Sequence, residues 1–223
     1  MAEIVTGEII DMEQDGGVLI RAAVPSLDRA ILRDYKTCLC EFTDGRRISP
    51  EQRKKIYAIF RDISEYTGYT EVETKEVMKI QFIMNQLESI CKEMFSLSNC
   101  SMTMAREFLG FLIDFCLAHN IPTRVPLVTQ CEDISRYIVA CLFHKKCAVC
   151  GKRADVHHLH GSRVGYGGLK WREKDQHGAK VIPLCREHHI KCHDGEEEFL
   201  ARFHLEGVEF TREIAKVYKA KFT

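Results

Sequence analysis

The chain has 223 residues, is 45% hydrophobic and 29% charged, and balances 32 basic against 32 acidic side chains. These values fit an ordinary globular protein with one large or two smaller cores and exclude a disordered chain. The longest apolar stretch, Phe108 to Ala118, is broken by Asp114 and too short to span a bilayer, so no membrane contact is expected.

No basic-then-apolar leader opens the chain, which points to a cytoplasmic protein whose eleven cysteines are free thiols or metal ligands rather than disulfides. Glu3–Met12 and Gly17–Val24 are rich in Ile and Val and flank the turn-forming run Glu13-Gln14-Asp15-Gly16-Gly17, which predicts a hairpin. Thr37–Phe42 reads as a third short strand, closed by Thr43-Asp44-Gly45. Ser49 then caps a helix that opens with Pro50 and Glu51 and buries Ile56, Ile59, Phe60 and Ile63. A second helix is predicted over Val72–Leu87. A third, over Thr103–His119, is apolar along Phe108, Leu109, Leu112, Phe115 and Cys116 and is stopped by Asn120 and Pro122. Cys131–Phe143 reads as a fourth.

Composition changes at this point from acidic and apolar to basic and rich in His and Cys. From His144 onward 16 basic residues stand against 11 acidic ones, a net of +5 that leaves −5 for residues 1–143. A domain boundary is therefore expected at 143/144, and the second part has the sign suited to a phosphate backbone. Within it, Asp155–Leu159 and Lys180–Leu184 read as strands joined by Gly161–Gly178, and Arg186–His193 as a helix. Gly195-Glu196-Glu197-Glu198 starts another helix with acidic residues in its first turn, and Thr211–Lys221 forms a last one. The expected class is α+β: a strand hairpin plus helical domain, then a zinc-stabilised ββα domain and C-terminal helices.

Four of the eleven cysteines and seven of the ten histidines lie between Cys147 and His193. Cys147 and Cys150 form a C-x2-C knuckle whose thiolates can reach one tetrahedral metal, and Cys185 and His188 supply a matching C-x2-H pair. Together they make a closed structural zinc site. Cys192 competes with His188 for the fourth position, because residues 185, 188 and 192 fall on one helical face. His189 and His193, at i and i+4, share another face, and His157 on the preceding strand completes a three-imidazole site with room for water and a phosphate oxygen. Its neighbour His158 is then left off the metal, with a reference pKa suited to taking a proton from attacking water. Among the candidate catalytic ions, three imidazoles favour a transition-type ion such as Mn, Ni or Zn over Mg. Arg163, Lys170, Arg172 and Arg186 flank the cluster as candidate phosphate contacts, each equally readable as a solvated charge. Asp155 shares a strand face with His157, so it is placed either to orient that ring or to cap the strand edge. Trp171 and Tyr166 are placed either to stack on bases or to pack beneath the loop.

D-V-H-H-L-H followed by L-C-R-E-H-H-I-K-C-H resembles the HNH (ββα-metal) nuclease motif over Cys147 to His193. The extension through Phe199, Phe203 and Gly207 resembles phage-encoded members of that group. The resemblance implies an HNH endonuclease in which His158 is the base and His157, His189 and His193 hold the catalytic metal. The middle Asn of the family name has no counterpart at its expected place, where Lys180 or His177 stands instead. R-R-I-S-P-E-Q-R-K-K-I-Y-A-I-F-R-D-I-S, V-M-K-I-Q-F and M-A-R-E-F-L-G-F-L-I-D-F resemble, over roughly Arg46 to Asn120, the lambda Orf (NinB) recombination mediators. That second resemblance implies a homodimer in the bacterial host cytoplasm that binds single-stranded DNA and the host single-strand-binding protein. Arg46, Arg47, Arg53, Lys54, Lys55 and Arg61 are its local basic patch, or else a solvated helix face.

The leading reading is a metal-dependent endonuclease acting on branched or single-stranded recombination and replication intermediates. The alternative is a non-catalytic, zinc-containing recombination mediator, and a zinc-stabilised transcriptional regulator comes third for want of a recognition helix.

Overall fold

The computed structural model describes residues 5, 7–34, 36–37, 40, 45–85, 95–160 and 170–223. Among the described residues the fold is α+β with two small sheets, and the chain divides into two compact units, residues 1–42 and 43–223.

In the first unit β1 (Gly7–Met12) pairs antiparallel with β2 (Val18–Ala22). The expected turn joins them: Glu13 N–H donates to the Gly17 carbonyl at 2.8 Å, and Gly16 takes φ +91°, a conformation open to glycine at little cost. A short helix, α1 (Leu27–Leu32), follows, with the Ser26 hydroxyl accepting from Arg29 N–H. Sequence periodicity gave no sign of it, because none of its residues is buried. The strand expected at Thr37–Phe42 lies largely outside the described residues.

The second unit begins with α2 (Pro50–Thr67), set by a complete capping box between Ser49 and Gln52 and ended by Gly68 at φ +81°. It packs with α3 (Glu71–Asn85) and α4 (Met102–His119). Phe60, Phe82, Phe95, Phe108 and Phe111 interlock between them with ring centroids 5.1 to 6.2 Å apart. Ser101 caps α4, and Asn120, in the left-handed region at φ 57°, ends it. A separate one-turn helix, α5 (Leu127–Gln130), comes next. The helix expected over Cys131–Phe143 is α6 (Ile134–Phe143), which starts three residues late, behind its Asp133 cap, and ends where expected.

The boundary expected at 143/144 meets no break in the core. Tyr137, Ile138, Cys141 and Leu142 of α6 are buried, and the Tyr137 hydroxyl donates to the Ala148 carbonyl, 2.9 Å away inside the cysteine knuckle. The composition change there marks a change of chemistry within one packed body.

Beyond it, β3 (Asp155–His158), β4 (Lys180–Leu184) and β5 (Val208–Glu209) form an antiparallel sheet in that order, and α7 (Arg186–Asp194) packs on β4. A 3₁₀ turn (Trp171–Glu173), α8 (Glu196–Phe203) and α9 (Arg212–Tyr218) complete the unit. The last helix ends at Tyr218, three residues short of the expected Lys221, where Lys219 turns the chain at φ 53°. Among the described residues no helix is long and apolar enough to cross a membrane.

Candidate metal centre

Among the described residues candidate metal ligands gather at two places beside the β3–β4–α7 unit, one around Cys147 and one around His157. Cys147, Cys150, Cys185 and His188 converge, each offering one ligand atom within 4.8 Å of the others. Their backbone is fixed first. Cys147 N–H donates to the Lys152 carbonyl at 2.7 Å, Gly151 N–H donates to the Cys147 carbonyl at 2.9 Å, and Gly151 turns the knuckle at φ +67°. Cys185 lies just ahead of α7 as its N-cap, which places His188 one turn later.

A tetrahedral zinc with bonds of about 2.3 Å to sulfur and about 2.0 Å to nitrogen sets ligand separations of about 3.8 Å between sulfurs and about 3.5 Å between sulfur and nitrogen. The observed Cys150–Cys185 Sγ separation is 3.7 Å, and His188 Nδ1 lies slightly closer than that, 3.4 Å from Cys147 Sγ and 3.2 Å from Cys185 Sγ. The four residues could therefore close around one structural metal after small side-chain shifts. Cys192, the competitor for the fourth place, is fully buried elsewhere, with Sγ 3.4 Å from His157 Nε2.

The second cluster joins His157, His189 and His193. The i, i+4 spacing on α7 puts the last two rings 4.9 Å apart by centroid, and β3 brings His157 to 4.6 and 4.8 Å from them. Burial holds the pKa of His157 down to about 4, helped by the charge of His189 and opposed by Glu196. His189 is likewise lowered, by burial and then by His193 and Arg186. Three imidazoles converging at one point are a donor set that suits a divalent transition metal.

The tautomer of His157 follows from its partner. Glu196 Oε2, which can only accept, lies 3.3 Å from Nε2, so Nε2 carries the proton. Nδ1 is then an unprotonated, buried nitrogen with no hydrogen-bond partner among the described residues. That is the condition of a ligand nitrogen, and the cluster fits a bound metal on this ground as well as on its chemistry.

His158 points away from the cluster, as alternation along a strand requires. Its ring contacts Trp171 edge-on at 5.3 Å, and Nε2 lies 2.7 Å from Gln176 Oε1. Gln176 has no exposed surface, and its amide nitrogen donates to the Trp171 carbonyl at 2.7 Å and to Lys174 at 3.1 Å. Those two carbonyls orient the amide so that its oxygen faces His158. Nε2 must therefore be the protonated nitrogen, which leaves Nδ1 to act as a base. Burial lowers the pKa of His158, with Gln176 pulling in the opposite direction.

Gln176 and Glu196 were missed as site residues in the sequence. The buried side-chain amide beside His158 is that of Gln176, one position before His177. His177 is exposed, its ring 5.7 Å from Phe222, and Lys180 lies opposite Glu209 in the sheet register. Asp155 does not orient His157; its side chain is 80% exposed and lies 4.0 Å from Arg172, and the carboxylate beside His157 belongs to Glu196. Trp171 packs against Phe210 and Tyr218 rather than standing free to stack on a base. Lys170, Arg172 and Arg186 are exposed, Arg186 close enough to His189 to lower its pKa, while Arg163 and Tyr166 lie outside the described residues.

A strand-strand-helix unit with one Cys3His cluster and one three-histidine cluster beside a braced fourth histidine has the arrangement of a ββα candidate metal site. The chain matches the family model described as "Putative HNHc nuclease" over residues 25–221, nearly its whole length, and belongs to that family. No curated protein and no solved structure gives a significant match.

Proposed function

We propose that the protein is a metal-dependent HNH endonuclease that hydrolyses phosphodiester bonds in DNA. The observation that carries this reading is the placement of His158. It is excluded from the His157/His189/His193 cluster, fixed in one tautomer by Gln176, and adjacent in sequence to a metal-ligating position. A protein that only binds DNA has no use for an imidazole held in that state.

In the proposed reaction His158 Nδ1 takes a proton from water as the water oxygen attacks phosphorus and the bond to the 3′-oxygen breaks. A divalent cation held by His157, His189 and His193 would stabilise charge developing on the phosphate and on the leaving oxygen. Lys170, Arg172 and Arg186, with Arg163, would draw in and orient the phosphate backbone. Cys147, Cys150, Cys185 and His188 would hold a zinc that fixes α7, and with it two of the metal-ligating histidines.

The proposed setting is phage recombination or replication, on branched or single-stranded DNA. Residues 1–143 would then provide an Orf/NinB-like surface for DNA or the single-strand-binding protein, and residues 144–223 the cutting site. One site per chain would nick a single strand, and a homodimer would cut two. The test is a plasmid-nicking assay with Mg, Mn, Ni and Zn on supercoiled and branched substrates. Nicked circles are expected with at least one ion. Intact substrate under every ion would refute the nuclease reading and favour the non-catalytic mediator.

A further inference from the structure

We propose that Glu196 is a positioning residue of the three-histidine centre, holding His157 as an Nδ1 ligand and lending that ring negative charge. The inference rests on the proposed catalytic metal. Glu196 opens α8, 39 residues after His157 in sequence, yet its carboxylate is nearly enclosed, with a side chain 10% exposed.

Each carboxylate oxygen has a task. Oε2 lies 3.3 Å from His157 Nε2 and 3.0 Å from His160 Nδ1, and the His160 backbone N–H donates to Oε1 at 2.8 Å and to Oε2 at 3.1 Å. The carboxylate therefore ties the end of β3 to the start of α8 and fixes one proton on His157. An imidazole that donates its far N–H to a carboxylate is a stronger metal ligand than a free one, since partial proton sharing raises electron density on the ligand nitrogen. The buried, partnerless Nδ1 of His157 is the nitrogen that gains.

The other end of α8 serves the zinc cluster, where the rings of Phe199 and Phe203 pack 6.1 and 5.9 Å from that of His188. One helix thus braces a ligand of each cluster. Glu196, Cys192 and His157 could also hold a metal among themselves. That arrangement would need the proton on Nε2 to leave and would draw the carboxylate off His160.

The test is cobalt(II) binding to the full-length, zinc-loaded protein, followed by calorimetry and by absorbance. Wild type should bind one cobalt beyond its zinc, and His189→Ala with His193→Ala should abolish that binding. Glu196→Gln keeps the shape and an acceptor for the His160 N–H but removes the charge. It should weaken cobalt binding by about 10-fold or more, and Glu196→Ala by up to about 100-fold, with zinc content unchanged. Wild-type affinity in Glu196→Gln alongside weakened Glu196→Ala would mean a merely structural clamp and would overturn the inference while leaving the metal site standing. A new sulfur-to-cobalt band lost in Cys192→Ser would also overturn it, by making Glu196 and Cys192 ligands. No cobalt uptake by wild type at all would remove the metal centre itself, and the inference with it.

Discussion

At Gln176 three hydrogen bonds meet on one fully buried amide. Replacing it with leucine strands His158 Nε2 and takes a donor from two carbonyls, of which that of Trp171 keeps Lys174 N–H, a loss of about 1–3 kcal/mol in stability by the usual cost of a buried unpaired group. Nicking by Gln176→Leu is expected to fall about 10- to 100-fold, the size of effect orienting partners of imidazoles commonly have, with the structural zinc retained. Wild-type nicking by a folded Gln176→Leu would show that the brace is irrelevant to the base.

The pKa of His158 also sets a pH dependence. Its folded value lies below the free imidazole value, so the neutral, proton-accepting ring persists as pH falls through about 6.5. The acid limb of the nicking rate should therefore be centred below about pH 6.5, with activity level between 7 and 8. A limb centred at 7 or above would contradict the assignment.

At the scale of elements, the loop bearing Gln176 is strapped by the residues after α9. Lys221 N–H donates to the Arg172 carbonyl at 2.8 Å, Gln176 N–H donates to the Lys221 carbonyl at 3.1 Å, and Thr223 binds Asp175 through its backbone N–H and its hydroxyl. Those bonds hold the carboxyl of Asp175 down to about 2. Deleting Lys221–Thr223 is expected to lower nicking while one zinc per chain remains, measured by assay and metal analysis on the same preparation.

Gly207 leads into β5 under a tighter constraint. A Cβ there would stand 2.2 Å from Leu159 Cδ1, and Leu159 is itself buried. Gly207→Ala should therefore destabilise by about 1–3 kcal/mol in denaturant melts, the cost of overpacking a buried contact.

The same scale explains what was readable in the sequence. Spacing within one element translated directly into geometry: Cys147 with Cys150, Cys185 with His188, and His189 with His193 all meet as their intervals require. Ser49, Asn120 and the Gly16-Gly17 turn also fixed their elements, because caps and left-handed turns are local chemistry. Gln176 and Glu196 were not readable. They reach β3 across separations of 18 and 39 residues, and only the packed loop and α8 bring them there. Helix α1 and the two-residue β5 lack the periodicity that marks an element, one being unburied and the other too short.

For the whole molecule, helical core and metal unit form one body over residues 43–223, joined at α6 through Tyr137 and Ala148. Chemistry and packing thus follow different boundaries along the chain. The closed cluster binds its knuckle to α7, so one tightly held zinc should survive dialysis and be lost on Cys147→Ser, together with the second metal and the nicking activity. A Cys147→Ser protein that keeps both ions would separate the zinc from the architecture of the site.

The central claim is that His158 acts as base beside a cation held by His157, His189 and His193. Its most direct test is the nicking rate of chelator-stripped protein refilled with a single metal, compared among wild type, His158→Ala and His189→Ala/His193→Ala. The expected result is a wild-type rate restored by metal, a His158→Ala rate lower by about 10²–10⁴-fold at the same metal content, and a double variant that neither binds the second ion nor cuts. Equal rates for wild type and His158→Ala would contradict the claim.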